Sequence, residues 1–520
     1  MIRASGGMVS TARKEATDIG VEIIKKGGNA IDAAVAVGFA LGVCEPNASG
    51  LGGGGFMTLY HKGQVSFIDF REIAPKSARP SMWSLDEKGN IIDDAKSEGG
   101  RSICVPGEVP GLLYALEKHG SMSIKEVIQP AIDLCRNGFV VSKILKKDMT
   151  LCSGKLEKFK EEGNPYLKAY QVGDIFYNEP LAQTLEIIRD QGLEGFNNII
   201  GKKISESVNK HSGHMTVEDI KNFKVNEVKP IKGTYRGYDI LSSPPPSSGG
   251  THIIEILNIL ENYDFKTMDV NSEDYIHILS EAFKLAFADR QTYMGDPNFC
   301  KVPLEGLTSK AYGKSLADKI TPLSGSYSPG NVYDYEPKDT THYSIGDSDG
   351  NMVSVTKTIS AFFGSGVVPE NTGIVLNCQM RGFILGEGKA NSVGPHKKPL
   401  SSMSPTIILK DKKPFAILGS PGGNRIIPIV SQLIVKLIDY QMNIKEAIDS
   451  PRISDDMTET VYLEGRISND IQEALKKRGH KVERLLDYDR KLGGVQGVRY
   501  KDNELEGAAD PRRDGVARGY

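Results

Sequence analysis

Residues 30–42 are nearly all apolar, and 31–43 form the most hydrophobic stretch of the chain. A helix with no polar face has to be covered on every side. One of this length is too short to span a bilayer, so it is expected as a buried helix with Asn29 as its cap. Before it, residues 11–26 place Ala12, Ala16, Ile19, Ile23 and Ile24 on one helical face, and Gly27-Gly28 stops that helix. After it come the glycine-rich run 49–55 and two strand patterns, 56–61 and 64–70. Helical periodicity then dominates residues 107–225, with a lysine-rich, exposed stretch near 144–160. Pro244 to Gly250 reads as a rigid turn followed by a mobile one, leading into a helix at 251–262.

The texture changes at residue 340. Residues 307–339 are rich in Ser, Pro, Gly, Tyr and Asp with little periodicity, and are expected to form an exposed connector. From Thr340 to Ile345 the pattern alternates. Asp349-Gly350 supplies a tight turn, and 352–359 is a second strand rich in β-branched residues. Strand patterns recur at 373–377, 406–409 and 415–419, followed by a helix at 427–440. Helices before, between and after the strands predict a layered α/β architecture.

Composition narrows the function. The 520 residues carry 64 Lys and Arg against 66 Asp and Glu, a formal net charge of −2. That balance gives no electrostatic reason to expect nucleic acid or an anionic membrane as partner. Cys44, Cys104, Cys135, Cys152, Cys300 and Cys378 are scattered, with no Cys-x-x-Cys pair. They are expected as reduced, mostly buried thiols rather than zinc ligands, and neither a metal nor a cofactor is called for. The N-terminus lacks the apolar core of a signal peptide, which makes the cytoplasm the expected compartment.

Two motifs bear on chemistry. Gly50 to Gly55 matches the Gly-x-Gly-x-x-Gly dinucleotide pattern, but it follows a helix and precedes a strand, the reverse of the required order. A turn in which backbone packs against backbone is the better reading. Thr340 sits where a loose, polar stretch meets an ordered hairpin, a place that can accommodate self-cleavage. Thr358 lies on the neighbouring strand, within reach of returning its hydroxyl beside Thr340. Gly422-Gly423 offer closely spaced N–H groups of the kind an oxyanion hole needs. A threonine hydroxyl is a poor nucleophile until its proton is taken. If the Asp339–Thr340 bond breaks, the freed α-amino group, with a pKa near about 7.7–8.0, becomes a base attached to the nucleophile itself. Gly346 to Gly350 has the Gly-x-Ser-x-Gly spacing, but it falls in the turn between two strands and not in the strand-to-helix elbow of an α/β-hydrolase.

Eight segments in order resemble the γ-glutamyltransferase family: 27–34, 49–57, 71–75, 244–250, 340–344, 399–406, 419–425 and 510–512. The resemblance implies a four-layer αββα sandwich of the N-terminal-nucleophile hydrolases. It would be made as one precursor that splits before Thr340 into a large subunit, 1–339, and a small one, 340–520, which stay intertwined. Thr340 would attack the γ-amide carbonyl of a glutathione-like donor, and Thr358 would orient the attacking hydroxyl. The Gly422 and Gly423 amides would hold the oxyanion. Arg71 would grip the donor α-carboxylate through two parallel bonds, helped by Ser401 and Ser402. Ser360 and Gln379 complete the implied substrate-binding set.

The departures from the family pattern are specific. Gly382 stands where the family places an acidic residue for the donor's α-ammonium, and Ser360 where it usually has asparagine. The segment from Phe383 to Pro399 is too short for a lid loop, which favours hydrolysis over transfer. These features are similar to the capsule poly-γ-glutamate depolymerase branch, as are Gly493 to Gln496 and the run Arg512-Arg513-Asp514-Gly515, whose basic groups would meet a polyanion. Acyl amides such as glutaryl donors, as in the related cephalosporin acylases, suit the same losses. A non-processing pseudoenzyme with a binding role is the reading from a different class.

Overall fold

The computed structural model describes residues 1–327, 339–455 and 460–520. Two seven-stranded antiparallel sheets lie face to face between two layers of helices. The first sheet runs in the order Val516–Gly519, Gly7–Thr11, Asp339–Asp347, Met352–Ser360, Gly54–His61, Gln64–Phe70, Asn226–Val228. The second runs Ile2–Ala4, Glu504–Ala509, Gln496–Lys501, Lys413–Gly419, Thr406–Lys410, Tyr238–Ser242, Ile231–Tyr235. The Asp339–Asp347 strand is therefore central, hydrogen-bonded on both sides.

Strand alternation sends each sheet's residues to two different cores. Tyr343, Ile345, Val353 and Val355 point away from the second sheet and pack with Ala33, Val37, Phe39 and Leu112 of the first helix layer. Helices Gly249–Leu260, Glu273–Tyr293 and Ile426–Ile438 cover the other sheet through Ile253, Leu279, Val430 and Leu433. Between the sheets the lining is divided. Met8, Leu241, Met352, Ile407, Leu409 and Val498 form an apolar cluster near the Asp349-Gly350 turn. Toward the other end the side chains are polar. Ser344 Oγ donates to the Gln496 carbonyl at 3.0 Å, Thr58 Oγ1 to the Pro405 carbonyl at 2.8 Å and Ser354 Oγ to the Leu418 carbonyl at 3.3 Å. Each such bond adds about 0.5–1.5 kcal/mol net, while an unmet hydroxyl in that layer costs more.

Local signals explain several elements. Asn29 caps helix Ala30–Cys44 in a complete capping box with Asp32, and every residue of that helix is buried. The hairpin turns at Gly350, whose φ is +79°. The glycine run is tight because backbone meets backbone: a Cβ on Gly52 would lie 2.2 Å from the Val375 carbonyl oxygen, and one on Gly53 2.3 Å from that of Thr358. Five of the six cysteines are buried and all six are free thiols. No helix among the described residues is long and apolar enough to cross a membrane.

Other expectations need correction. Residues 247–250 are not mobile: Ser247 and Ser248 are buried and bonded to the carbonyls of Met403 and Ser401. The connector is not uniformly exposed, since Lys310–Ala317 is a helix that buries Leu316 and Ala317; residues 328–338 of it lie outside the described residues. Residues 373–377 form no strand, only a single bridge from Leu376 to Gly52. Thr11 and Ala12 precede the first helix, which spans Lys14–Lys25, and Thr11 ends a strand of the first sheet.

Gly53→Ala is expected to lower stability by about 1–3 kcal/mol, because its methyl must push back the strand that carries Thr358. It should also reduce the fraction of chains cut at residue 340. Gly154→Ala, in a helix where a Cβ meets nothing within 4 Å, serves as the control and should hold or raise stability. Denaturant melts of the two variants side by side check this, and equal midpoints would contradict it.

Candidate active site

Thr340 is the second residue of its strand and only 3% exposed. Asp339 pairs with Ser360 and Thr341 with Lys357, so two partner residues, Thr358 and Ile359, face Thr340 alone. Such a register shift re-aims a side chain and is common beside active sites. The Thr358 Oγ1 accepts from the Ser360 N–H at 2.8 Å, which fixes its position at the bulge. Ser360 holds a φ of +84°, strained for a residue with a Cβ, where the strand leaves the sheet.

These groups open onto one narrow cleft. It is lined by Arg71, Thr340, Thr358, Ser360, Gln379, Gly382, Leu400, Ser401, Ser402, Met403, Gly423 and Ile426. The cleft thus gathers every catalytic and donor-binding residue expected from the sequence except Gly422, which stands one position behind Gly423. Gly422 and Gly423 have φ values of +141° and +60°. They open the turn Gly423–Arg425 that runs into helix Ile426–Ile438. Among the described residues, no hydrogen bond uses the N–H of either glycine. Unspent amides at a helix N-terminus suit a developing oxyanion.

His342, two residues after Thr340, is not placed to act as a base. His342 is fully buried between the sheets, with Nδ1 2.9 Å from Thr356 Oγ1 and Nε2 3.0 Å from Ser344 Oγ. Burial pushes its pKa down to about 3, so the ring is neutral and structural. Lys357, beside Thr358, faces the opposite way. Its Nζ is 2.5 Å from Glu108 Oε1 and donates to the Gly38 carbonyl at 2.7 Å, tying the partner strand to the helix layer.

Arg71 is buried rather than on the surface. Its Nε donates to the Pro399 carbonyl at 3.3 Å, Nη1 to Glu72 Oε2 at 3.2 Å, and Nη2 to Gln379 Oε1 at 2.9 Å and the Leu400 carbonyl at 3.4 Å. Four of its five N–H groups are therefore used. A two-bond grip on a carboxylate requires it to release one of them, and the long bond to Leu400 is the weakest. Asn377 sets the register of this wall. Its Oδ1 accepts from the Cys104 and Gln379 N–H groups and its Nδ2 donates to the carbonyls of Gly52 and Cys104.

Sequence reasoning passed over Asn377, Asn391, Asn424 and Arg290. Asn391 clamps the Gly382 carbonyl and the Leu400 N–H, so the short segment after Phe383 ties the two sides of the cleft together. Asn424 accepts from Ser402 Oγ at 3.1 Å, and Arg290 Nη2 donates to the same oxygen at 3.1 Å. Asn424 adjoins the glycine pair, which was a usable signal; Arg290, on a helix remote in sequence, gave none. The C-terminal arginine run is corrected in part. Arg512 is buried against Asp510, Glu464 and the carbonyls of Ile448 and Ser450, so it is structural and does not face a polyanion.

Burial pushes the Glu72 carboxyl up to about 7, against the pull of Arg71. Above that pH Glu72 is ionised and shares the guanidinium charge; below it, the charge is left for an incoming carboxylate. The KM of a carboxylate-bearing donor is therefore expected to rise as pH climbs through about 7, and Glu72→Gln should flatten that rise. Steady-state kinetics across the range test it, and a wild-type KM indifferent to pH would contradict it.

Comparison with known proteins establishes the family and the fold. Residues 16–520 match the family model described as gamma-glutamyltranspeptidase. The glutathione hydrolase proenzyme of Escherichia coli strain K12 is 43% identical over an alignment covering 100% of this chain and 93% of the relative. Among solved structures, a cephalosporin acylase from Bacillus halodurans superposes with a TM-score of 0.91 at 28% identity, covering 100% of this chain and 96% of that one. The gamma-glutamyltranspeptidase of Helicobacter pylori gives 0.58 at 38% identity, covering 61% of this chain and 94% of its own.

Proposed function

The chain belongs to the gamma-glutamyltranspeptidase family and is a γ-glutamyl hydrolase/transferase; from that premise we propose that Thr340 is both its processing residue and its nucleophile. The observation that carries the assignment is the meeting of Thr340, Thr358 and the Gly423 amide in one cleft with Arg71 and the Ser401-Ser402 pair. Water added across the Asp339–Thr340 peptide bond leaves a carboxyl on 339 and a free amine on 340. The large subunit, 1–339, and the small one, 340–520, stay together because the first sheet is built from both: strand Asp339–Asp347 pairs with Gly7–Thr11, and Met352–Ser360 with Gly54–His61.

In catalysis the amine of Thr340 takes the proton from its own hydroxyl, and Oγ1 bonds to the γ-carbonyl carbon of the donor. The oxyanion is held by the Gly422 and Gly423 N–H groups, with Thr358 orienting the hydroxyl. The C–N bond breaks as the departing amine receives that proton, leaving an ester on Thr340. Water attacks the ester and releases glutamate, or an acceptor amine takes the acyl group. Arg71, assisted by Ser401 and Ser402, holds the donor's α-carboxylate, and Gln379 steadies Arg71.

One observation favours a second class of donor. No Asp or Glu is among the described residues lining the cleft, and Gly382 and Ser360 provide no countercharge for an α-ammonium. Donors without a free amine, such as residues inside a γ-linked chain or glutaryl amides, lose nothing by this.

The comparison of a γ-glutamyl anilide with a glutaryl anilide tests both statements. A Cβ at Gly382 would lie 3.1 Å from Pro399 Cβ, so an aspartate fits with a shift of a few tenths of an ångström. Gly382→Asp is expected to raise kcat/KM for the γ-glutamyl anilide about tenfold, the worth of one charged hydrogen bond, while leaving the glutaryl anilide unchanged or slower. Equal effects on both donors would mean that the ammonium is held elsewhere. Absence of anilide release from either donor would remove the functional assignment.

A further inference from the structure

Arg290 lies in the last turn of helix Glu273–Tyr293 and is 2% exposed. It reaches through from the outer helix layer to the back of the serine pair. Its Nε donates to Ser248 Oγ at 2.8 Å and its Nη2 to Ser402 Oγ at 3.1 Å. Ser248 passes the restraint on, since its Oγ and its N–H both donate to the Ser401 carbonyl, at 2.8 and 2.9 Å. The Ser402 hydroxyl in turn donates to Asn424 Oδ1 at 3.1 Å. One guanidinium thereby fixes the backbone of Ser401 and the side chain of Ser402, and reaches the residue beside the oxyanion glycines through one further bond.

We propose that Arg290 is a positioning residue that sets specificity for the donor's α-carboxylate, acting through Ser402. This rests on the assignment of Ser401 and Ser402 to that carboxylate. A hydroxyl that accepts a hydrogen bond from a cation is a stronger donor, and the gain is larger in a buried, low-dielectric wall. Holding Ser402 Oγ by its lone pair leaves its proton free to swing from Asn424 to an arriving carboxylate. The need for a second cation follows from Arg71, whose charge is shared with Glu72 and whose fork is largely occupied. Arg290 makes up that shortfall from one hydroxyl away without entering the cleft, which its guanidinium does not line.

The test uses the self-cleaved protein and two anilides, γ-glutamyl and 4-aminobutyryl, which differ only in the α-carboxylate. Arg290→Met is expected to raise KM for the γ-glutamyl donor about 10- to 100-fold, with kcat changed less. It should leave kcat/KM for the 4-aminobutyryl donor within about twofold. Arg290→Lys, which keeps the charge and loses the fork, should fall between. In a Ser402→Ala background the same Arg290→Met change should cost less than about threefold, because its route to the donor is gone. Equal losses on the two donors, or additive losses in the double variant, would overturn the proposal. If Arg290→Met does not self-cleave, the Arg290→Lys comparison decides by the same criteria. Ser402→Ala failing to discriminate between the donors would instead overturn the serine assignment, and this inference with it.

Discussion

The structure depends on one placement: a strand that begins at the proposed cleavage point is also a central strand of a buried sheet. Strand Asp339–Asp347 is paired on one side with Gly7–Thr11 and on the other with Met352–Ser360. A nucleophile on a surface loop would lose its geometry once the chain was cut. Here residues 341–346 pair with Met352–Lys357, residues 344–347 pair on the other side with Gly7–Ser10, and the Tyr343 hydroxyl donates to the Ala34 carbonyl in the helix layer. A terminus created there, as proposed, would stay in register with Thr358 and Ser360. The irregular pairing at Thr340 leaves it outside the regular ladder, where its side chain lines the cleft.

The polar half of the inter-sheet layer serves the same end. A wholly apolar sandwich would slide easily; hydroxyls donating to specific carbonyls across the gap fix the sheets in one relation. His342 belongs to this layer as a neutral bridge between Thr356 and Ser344, and a Cβ on Gly419 would lie 2.4 Å from its ring. The second sheet then delivers Gly422 and Gly423, just beyond strand Lys413–Gly419, to the cleft. Distance between the sheets thus sets the distance between Thr340 and the glycine pair, the proposed nucleophile and oxyanion donors.

What the sequence made legible was local. Asn29 announced a helix start, Asp349-Gly350 announced the hairpin, and the order of the glycine run argued against a nucleotide loop. The motif residues of the cleft were legible through their resemblance to a family, in the positions where that family keeps its chemistry. Strands Ile2–Ala4 and Tyr238–Ser242 of the second sheet were not, because their pairing joins residues far apart in sequence, Ile2 with Gly507 and Leu241 with Ile407. Arg71 was expected to grip a carboxylate through two parallel bonds, but Glu72, Gln379 and two carbonyls already engage its guanidinium. Arg512 was expected to face outward, yet two buried acids, Asp510 and Glu464, hold it inside. Gln379 and Glu464, which complete these two holds, are remote in sequence, and no spacing rule carries that information.

The central claim is that Thr340 cuts the chain and then serves as the catalytic N-terminus. The intact mass of the purified protein, with the N-terminal residue of its smaller fragment, tests it most directly. The account predicts fragments of 339 and 181 residues from the 520-residue chain, the second beginning at Thr340 with a free amine. A single uncut chain that turns over γ-glutamyl anilides, or a fragment beginning at any other residue, would contradict it.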